Sequence, residues 1–441
     1  MDRSSRFWTP SIMAEFHRHV ASLRRLTEIP AEPRAYHERT MSQSHTHTLS
    51  TEDEIRITDC LSFLAHYIEG PKFVSTVTLR EHPDSLQVVL AGNTTPSSSV
   101  CNELTKIMAK VSQFSSDGGR KHPVQEELLD MILRLSSQRV LSRLRPSWVP
   151  PPWYFRPPQL SLREELRNCI PKIRESTRPS AQTKELLETL EDLVEALKLV
   201  DHRVETNALL HALKIIIMSC ARLARLGSTK SVEDHLKSLG IGTQLAKSPE
   251  IRRVDKLARY LFTCRDLARL SSKHSYRRLL SHIEITALES SQGLVRPGSG
   301  QRCFVHAEIQ QIFDIEKQPH TPAPRAIGCS KSACYLCDLF IRTHGDYVVS
   351  QTQGRLYEKW TLPDVEWMTT TQANRFHGVV RSMIGDMQEM IQRLQDGRQM
   401  ICRYPLESRA CLPLSSGPNS SLAERREEIA EKTLQRDAPM L

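Results

Sequence analysis

The chain has 441 residues, of which 39% are hydrophobic and 25% charged, a balance typical of soluble globular proteins with a buried core. Its formal net charge of +9 permits contact with nucleic acid and does not require it, so a solvated basic surface is the simpler interpretation. The sequence contains no run of about 18 apolar residues and no apolar N-terminal segment, which argues against a membrane span or a secretory signal. Eleven irregularly spaced cysteines indicate reduced thiols, so we expect a cytoplasmic or nuclear protein without a membrane partner.

The first hundred residues divide into two parts. Residues 1–50 are predicted to be a flexible N-terminal tail, because residues 41–51 are rich in Ser, Thr and His and lack apolar periodicity. Residues 51–99 are predicted to form a helix, closed by Gly70-Pro71, and then a β-hairpin. Its two strands, 73–79 and 86–90, are rich in β-branched and apolar residues and flank a polar turn.

The middle of the chain, residues 100–282, shows the apolar periodicity of amphipathic helices. One stripe contains Leu186, Leu190, Leu193 and Leu197. These faces are predicted to pack against each other, so the region is either a helical insertion or a helical domain. A Pro-rich stretch at 145–158 is predicted to cross it in an extended conformation.

The predicted secondary structure changes to alternating strands and helices, an α/β pattern, in residues 283–400. Strands are predicted at 283–288, 325–329 and 347–350, short helices at 305–315 and 334–343, and a closing amphipathic helix at 371–395. Residues 401–441 are polar and predicted to be a C-terminal tail.

Two motifs in this α/β region carry metal chemistry. His306 and Glu308 form an H-x-E triplet, and Cys334 and Cys337 form a C-x-x-C pair that opens the next predicted helix. Zinc binds imidazole nitrogen and thiolate sulfur in a tetrahedral shell, and catalytic sites keep one position for water. A helix N-terminus lowers thiol pKa, and a carboxylate beside the water can move protons. We therefore predict that His306, Cys334 and Cys337 bind Zn²⁺ and that Glu308 is the catalytic acid–base.

Two other interpretations of the same residues remain open. Cys303 lies three residues before His306, so the four side chains could close a structural Cys₃His zinc site in a non-catalytic interaction module. Alternatively, the cysteines are buried core thiols and His306 is a satisfied core histidine.

The combination resembles the cytidine deaminase-like superfamily, whose signature is H-x-E followed by P-C-x-x-C. It is most similar to the OTT-like deaminases of fungi and bacteria. Their motifs match His306-Ala-Glu308-Ile-Gln and Gly328-Cys-Ser330-Lys331-Ser-Ala-Cys334-Tyr-Leu-Cys337-Asp-Leu-Phe340, within residues 283–362. Ala333 stands where most deaminases have proline.

The resemblance implies an α/β fold, a three-layer α/β/α domain, here with a large helical additional region. It also implies His306, Cys334 and Cys337 as zinc ligands and Glu308 as proton shuttle, in a hydrolytic deaminase whose substrate contains a nucleobase. If the hairpin at 73–93 supplies the first strands of this domain, Asn93 stands where related enzymes hold substrate with asparagine.

Further contacts with substrate are predicted from residue type. Lys331 could bind an anionic substrate or simply be exposed. Tyr357, Trp360 and Trp367 could cover the pocket mouth and stack on a base, or pack in the core. The sequence leaves open which base is bound, whether it is free or part of nucleic acid, and the oligomeric state.

Overall fold

The computed structural model describes residues 7–35, 46–117, 121–151, 160–228, 231–291, 293–296 and 300–397. The C-terminal tail predicted at 401–441 and the second half of the Pro-rich stretch, residues 152–158, lie outside these ranges. The helices are α1 (Pro10–Leu26), α2 (Thr51–Ala65), α3 (Ser98–Asp117), α4 (Lys121–Leu144), α5 (Leu162–Ser176), α6 (Ala181–Ala196), α7 (Thr206–Ala224), α8 (Val232–Ser238), α9 (Thr243–Ala246), α10 (Pro249–Ser271), α11 (Ala307–Lys317), α12 (Tyr335–His344) and α13 (Thr370–Gln395). The strands are β1 (Arg34–Ala35), β2 (Ser75–Glu81), β3 (Leu86–Gly92), β4 (Ile283–Ala287), β5 (Leu294–Val295), β6 (Arg302–Cys303), β7 (Gly328–Cys329) and β8 (Gln351–Thr352).

The central sheet has four strands in the order β4-β3-β2-β7. The predicted hairpin is present as the antiparallel pair β2 and β3. Strand β7 extends the sheet antiparallel to β2, and β4 extends it parallel to β3 after the whole helical region. The strand predicted at 347–350 is reduced to a single bridge between Ala326 and Val348, followed by β8. The chain is thus helix-rich with small mixed sheets, compatible with the predicted α/β class.

Helices lie against both faces of this sheet, because side chains alternate along a strand. Val77 and Leu79 of β2 belong to the same buried cluster as Leu61 of α2. Thr78, which points to the opposite face, donates a hydrogen bond of 2.8 Å to the side chain of Gln311 on α11. Helices α2 and α11 are therefore on opposite faces of the sheet.

The described helices of the helical region share one apolar core with the sheet. One continuous apolar cluster runs from α2 and the hairpin through buried residues of α3 to α8 and of α10. A second cluster joins α1, α11, α12 and α13. The helices of residues 100–282 thus cover the α2 face of the sheet, while the motif helices lie in the second cluster.

The N-terminal tail prediction is wrong for residues 7–35. Helix α1 starts at Pro10 after the N-cap Thr9, and Phe7 and Phe16 are fully buried. Met13, Phe16, Val20 and Leu23 form a buried stripe on α1 at helical spacing, and α1 packs against α13. The polar composition of residues 41–51 obscured this amphipathic segment upstream.

Helix α7 is long and apolar enough to cross a membrane by length and composition alone. Its most apolar face is nevertheless inside the protein, with Leu213, Ile216, Ile217 and Cys220 fully buried. It packs mainly against α10, α6 and α4. The described residues therefore contain no clear membrane span, and α7 has the character of a core helix.

Candidate metal centre

The three predicted ligands are placed by the starts of two helices. His306 is the N-cap of α11, and its extended backbone (φ −72°, ψ 154°) lets the imidazole leave the helix axis. Cys334 is the N-cap of α12, where its sulfur accepts a hydrogen bond from the backbone N–H of Cys337 at 3.4 Å. In a regular helix, side chains two residues apart point apart. The non-helical conformation of His306 therefore explains how His306 and Glu308 reach the same pocket.

The distances within this group fit a metal shell. The His306 Nδ1 atom lies 3.6 Å from Cys334 Sγ and 3.5 Å from Cys337 Sγ. All three ligand atoms lie within 4.8 Å of one another. Zinc–sulfur and zinc–nitrogen bonds of about 2.3 and 2.0–2.1 Å at a tetrahedral angle give a nitrogen–sulfur separation of about 3.6 Å. The group could therefore hold a metal ion with the spacing of a zinc site.

The charges of the pocket suit both metal binding and proton transfer. Burial raises the pKa of the Glu308 carboxyl, an effect that the neighbouring His306 opposes. Burial also disfavours the Cys334 thiolate. Hydrogen bonds from Cys337 and His306, together with the His306 charge, nevertheless hold the Cys334 pKa well below its usual range. A thiolate ligand beside a carboxyl group with a raised pKa is the combination needed for general acid–base work at neutral pH.

Trp360 supports the centre from the core. Its side chain is fully buried, and its indole Nε1–H donates a hydrogen bond to Cys337 Sγ at 3.3 Å. It therefore packs in the core, which is one of the two roles left open by the sequence, and Trp367 packs against Phe313 in the same core. Tyr357, which is half-buried, lies edge-on to the His306 ring at 5.8 Å. Composition alone gave no signal for the indole–thiol contact.

Cys303 stands apart from the other three side chains. It is buried, its sulfur lies 3.9 Å from the Gln301 carbonyl oxygen, and burial raises the pKa of its thiol. Among the described residues, the potential metal group around His306 contains Cys334 and Cys337 and omits Cys303. The described geometry thus leaves a position for water and does not favour the Cys₃His alternative.

Three residues of the segment before Cys334 have a structural reason for their identity. A Cβ on Gly328 would meet the Thr58 backbone at 2.1 Å, so only glycine allows β7 to lie against α2. Ser330 pairs with Ser75 through two hydrogen bonds of 2.9 and 3.0 Å. Ala333 donates its backbone N–H to Gln351 at 2.9 Å. Proline has no N–H, which explains why this chain departs from the common pattern.

The two residues predicted to bind substrate have different surroundings. Asn93 is exposed at the end of β3, where its amide donates to the Pro71 carbonyl at 2.9 Å. The preceding Gly92 accepts a hydrogen bond from Gln310 of α11, which also bonds the carbonyl of Val305. Asn93 is thereby tied to the start of the helix that His306 caps. Lys331 is half-buried, and its charge lowers the pKa values of His66 and Glu69 as a minor contribution.

A second group of metal-type side chains consists of Glu316, His344 and Asp346. The guanidinium of Arg375 contacts all three, at 3.3 Å from both Glu316 and His344, and is also paired with Asp346. A cation of the chain already occupies this position, so the group is an ion-pair network at the start of α13.

Comparison with known proteins agrees with the motif. The family model of OTT-like deaminases matches residues 305–364, which confirms the resemblance found in the sequence. No curated protein and no solved structure matches the chain. The matched segment contains His306, Glu308, Cys334, Cys337 and Trp360, so the residues of the candidate metal centre lie within the part of this chain that is similar to the OTT-like deaminases.

Proposed function

We propose that the chain is a zinc-dependent hydrolytic deaminase that removes an exocyclic amine from a nucleobase, free or within a nucleotide or nucleic acid. The observation that carries this proposal is the nitrogen–sulfur spacing of 3.5 and 3.6 Å around His306, with the buried Glu308 beside it. The helices on both faces of the sheet support a three-layer α/β/α deaminase domain with a helical addition.

In this proposal each residue has one task. His306, Cys334 and Cys337 would hold a zinc ion, and that ion would lower the pKa of water at the site towards 7 and so supply a nucleophile at neutral pH. Glu308 takes a proton from the attacking water and passes it to the departing amine, which leaves as ammonia. Its raised pKa suits this task, because a carboxyl group must accept and release the proton at working pH.

The surrounding residues would position the base. Trp360 fixes the Cys337 sulfur through its indole N–H and thereby the direction of that ligand. Tyr357 offers a half-buried ring beside His306, on which a planar base can stack. Asn93 and Lys331 are proposed to bind polar parts of the substrate. The nine cysteines of the described residues are all free, which fits a cytoplasmic or nuclear location.

Two measurements on purified protein test this function. The first is metal content, for which we expect one zinc ion per wild-type chain and loss of zinc in His306→Ala and Cys334→Ser. The control is His282→Ala, since His282 belongs to a second H-x-E triplet on the exposed start of β4. The second is ammonia release from cytosine and adenine compounds, with Glu308→Ala as the inactive comparison. Zinc-free wild-type protein would refute the proposal.

A further inference from the structure

Four cationic side chains interact electrostatically with His66 and Glu69 at the junction of α2, α4, α10 and the loop that leads to Cys334. We call this group the basic cluster, and it consists of His66, Glu69, Arg139, Arg143, Lys256 and Lys331. His66, Arg139 and Arg143 are buried, whereas Glu69, Lys256 and Lys331 are half-buried. The cluster therefore has an enclosed base and an edge that is open to solvent.

The contacts of the cluster are few for so many charges. Arg139 donates to Glu69 at 3.2 Å, to the Phe63 carbonyl at 2.9 Å and to His66 Nδ1 at 3.1 Å. Arg143 lies 3.6 Å from the same Glu69 oxygen and donates to the Lys256 carbonyl. Glu69 is thus the carboxylate that these arginines share.

The positive charge exceeds what the surroundings neutralise. Four cations, Arg139, Arg143, Lys256 and Lys331, face one carboxylate. The C-terminal end of α2, where Phe63 offers its carbonyl, contributes a negative charge of about one half. An excess of about two to three positive charges remains. Burial, reinforced by Arg143, lowers the pKa of Lys256 to about 7, as expected where cations are crowded and desolvated.

One buried donor in the cluster also lacks a partner. Because Arg139 donates to His66 Nδ1, the neutral imidazole carries its hydrogen on Nε2. His66 is 0% exposed, and its Nε2 atom has no hydrogen-bond partner in the part of the chain that the structure describes. Buried donors in native proteins are nearly always paired, so this unpaired N–H adds to the unmatched positive potential of the cluster.

A short segment of chain joins the cluster to the candidate metal centre. Lys331 precedes Cys334 by three residues, which extended chain spans in at most about 11 Å. The other residues of the cluster include Arg139 and Arg143 of α4 and Lys256 of α10. The cluster therefore connects the helical region with the loop that leads to Cys334. A nucleotide has a comparable separation of several ångströms between its base and its phosphate.

We propose that the basic cluster binds the terminal phosphate of the substrate, which makes the substrate class a nucleoside monophosphate or a nucleic-acid end that carries a phosphate. This inference rests on the proposed deaminase function, because only that function makes the bound molecule a substrate. A phosphate monoester carries about −1.5 to −2 at neutral pH and three acceptor oxygens, which matches the excess charge and the free donors. An internal phosphodiester carries one charge and fits less well.

Binding of defined probes to the full-length protein tests the inference without any need for turnover. Calorimetric titration should show that cytidine or adenosine monophosphate binds at least about tenfold more tightly than the matching nucleoside, and that inorganic phosphate competes. Lys331→Met and Lys256→Met should each weaken monophosphate binding by about 10- to 100-fold, because each removes a charge-assisted contact. Lys110→Met is the matched control, since Lys110 is a half-buried lysine of the helical region paired with Glu127.

The outcomes separate the two proposals. Phosphate binding that disappears in Lys331→Met and Lys256→Met, together with no ammonia release from any base, would support the anion site and reject the deaminase function. Ammonia release from nucleosides and nucleotides at equal efficiency, without phosphate binding, would overturn the anion site and leave the deaminase standing. An equal loss of monophosphate binding in Lys110→Met would also overturn the anion site.

A 5′-phosphorylated oligonucleotide that binds more tightly than its unphosphorylated copy identifies a nucleic-acid end as the source of the phosphate. Tight binding of monophosphates alone identifies a free nucleotide.

Discussion

Trp360→Phe is the substitution that isolates a single contact of the candidate metal centre. It removes the indole N–H that lies 3.3 Å from Cys337 Sγ and keeps an aromatic ring against Phe16 and Phe340. A hydrogen bond to a charged acceptor contributes about 1.5–3 kcal/mol, which corresponds to about 10- to 150-fold in an equilibrium constant. Residues that hydrogen-bond metal ligands give a similar range of about 10- to 100-fold. We therefore expect zinc affinity to fall by one to two orders of magnitude.

The assay is competition for zinc against a chromophoric chelator, with thermal unfolding of the metal-free protein as a check on folding. Trp367→Phe is the matched control, because Trp367 packs against Phe313 in the same apolar core. We expect its zinc affinity to stay within about threefold of wild type, the spread typical of substitutions that touch no ligand. Equal affinities in Trp360→Phe and wild-type protein would refute the role of the indole, and equal losses in both variants would assign the effect to core packing.

Three further predictions follow from the geometry. In metal analysis, Cys303→Ser should leave the zinc content unchanged, and Glu308→Ala should also retain zinc. In the ammonia-release assay, turnover of Glu308→Ala should fall by about 10² to 10⁴. Loss of zinc in Cys303→Ser would instead support the structural Cys₃His site. Phe16→Ala should lower the free energy of unfolding by about 3–5 kcal/mol in urea titration, because the ring is fully buried between α1 and the core; an unchanged midpoint would mean that α1 is not part of the folded unit. The folded pKa of Lys256 is lowered to about 7 from 10.5, so the unfolded chain binds more protons between these values. The free energy of unfolding should therefore gain from this group as pH rises from about 7, and Lys256→Met should remove that gain; identical pH profiles would contradict it.

The residues of the candidate metal centre were predictable as a group because their signal is local. A Cys pair that opens a helix and an H-x-E triplet at the start of another need only short-range geometry, and both segments fold as expected. The hairpin was also predictable, since alternating apolar residues on two short strands specify it.

The remaining features depend on contacts between residues far apart in sequence. The N–H that Trp360 offers to Cys337 depends on packing within the second apolar cluster, which no spacing rule describes. The sequence around Lys331 does not predict its electrostatic interaction with residues of α4 and α10, because only the tertiary fold brings those helices near it. Helix α1 was not predicted, because the polar residues downstream of its buried stripe are typical of a flexible tail.

The parallel pairing of β3 with β4 has a consequence for the chain during its synthesis on the ribosome. Leu86 pairs with Ile283, so 197 residues separate the two partners (283 − 86). At translation rates of about 5–20 residues per second, β3 waits about 10–40 s for its neighbour. During that time its outer edge, which contains Val88, Val89 and Leu90, presents unpaired backbone groups that can template aggregation. Holdase chaperones should therefore increase the soluble yield of the full-length protein, whereas slowed synthesis should lower it, because the helical region is synthesised before β4 can complete the sheet.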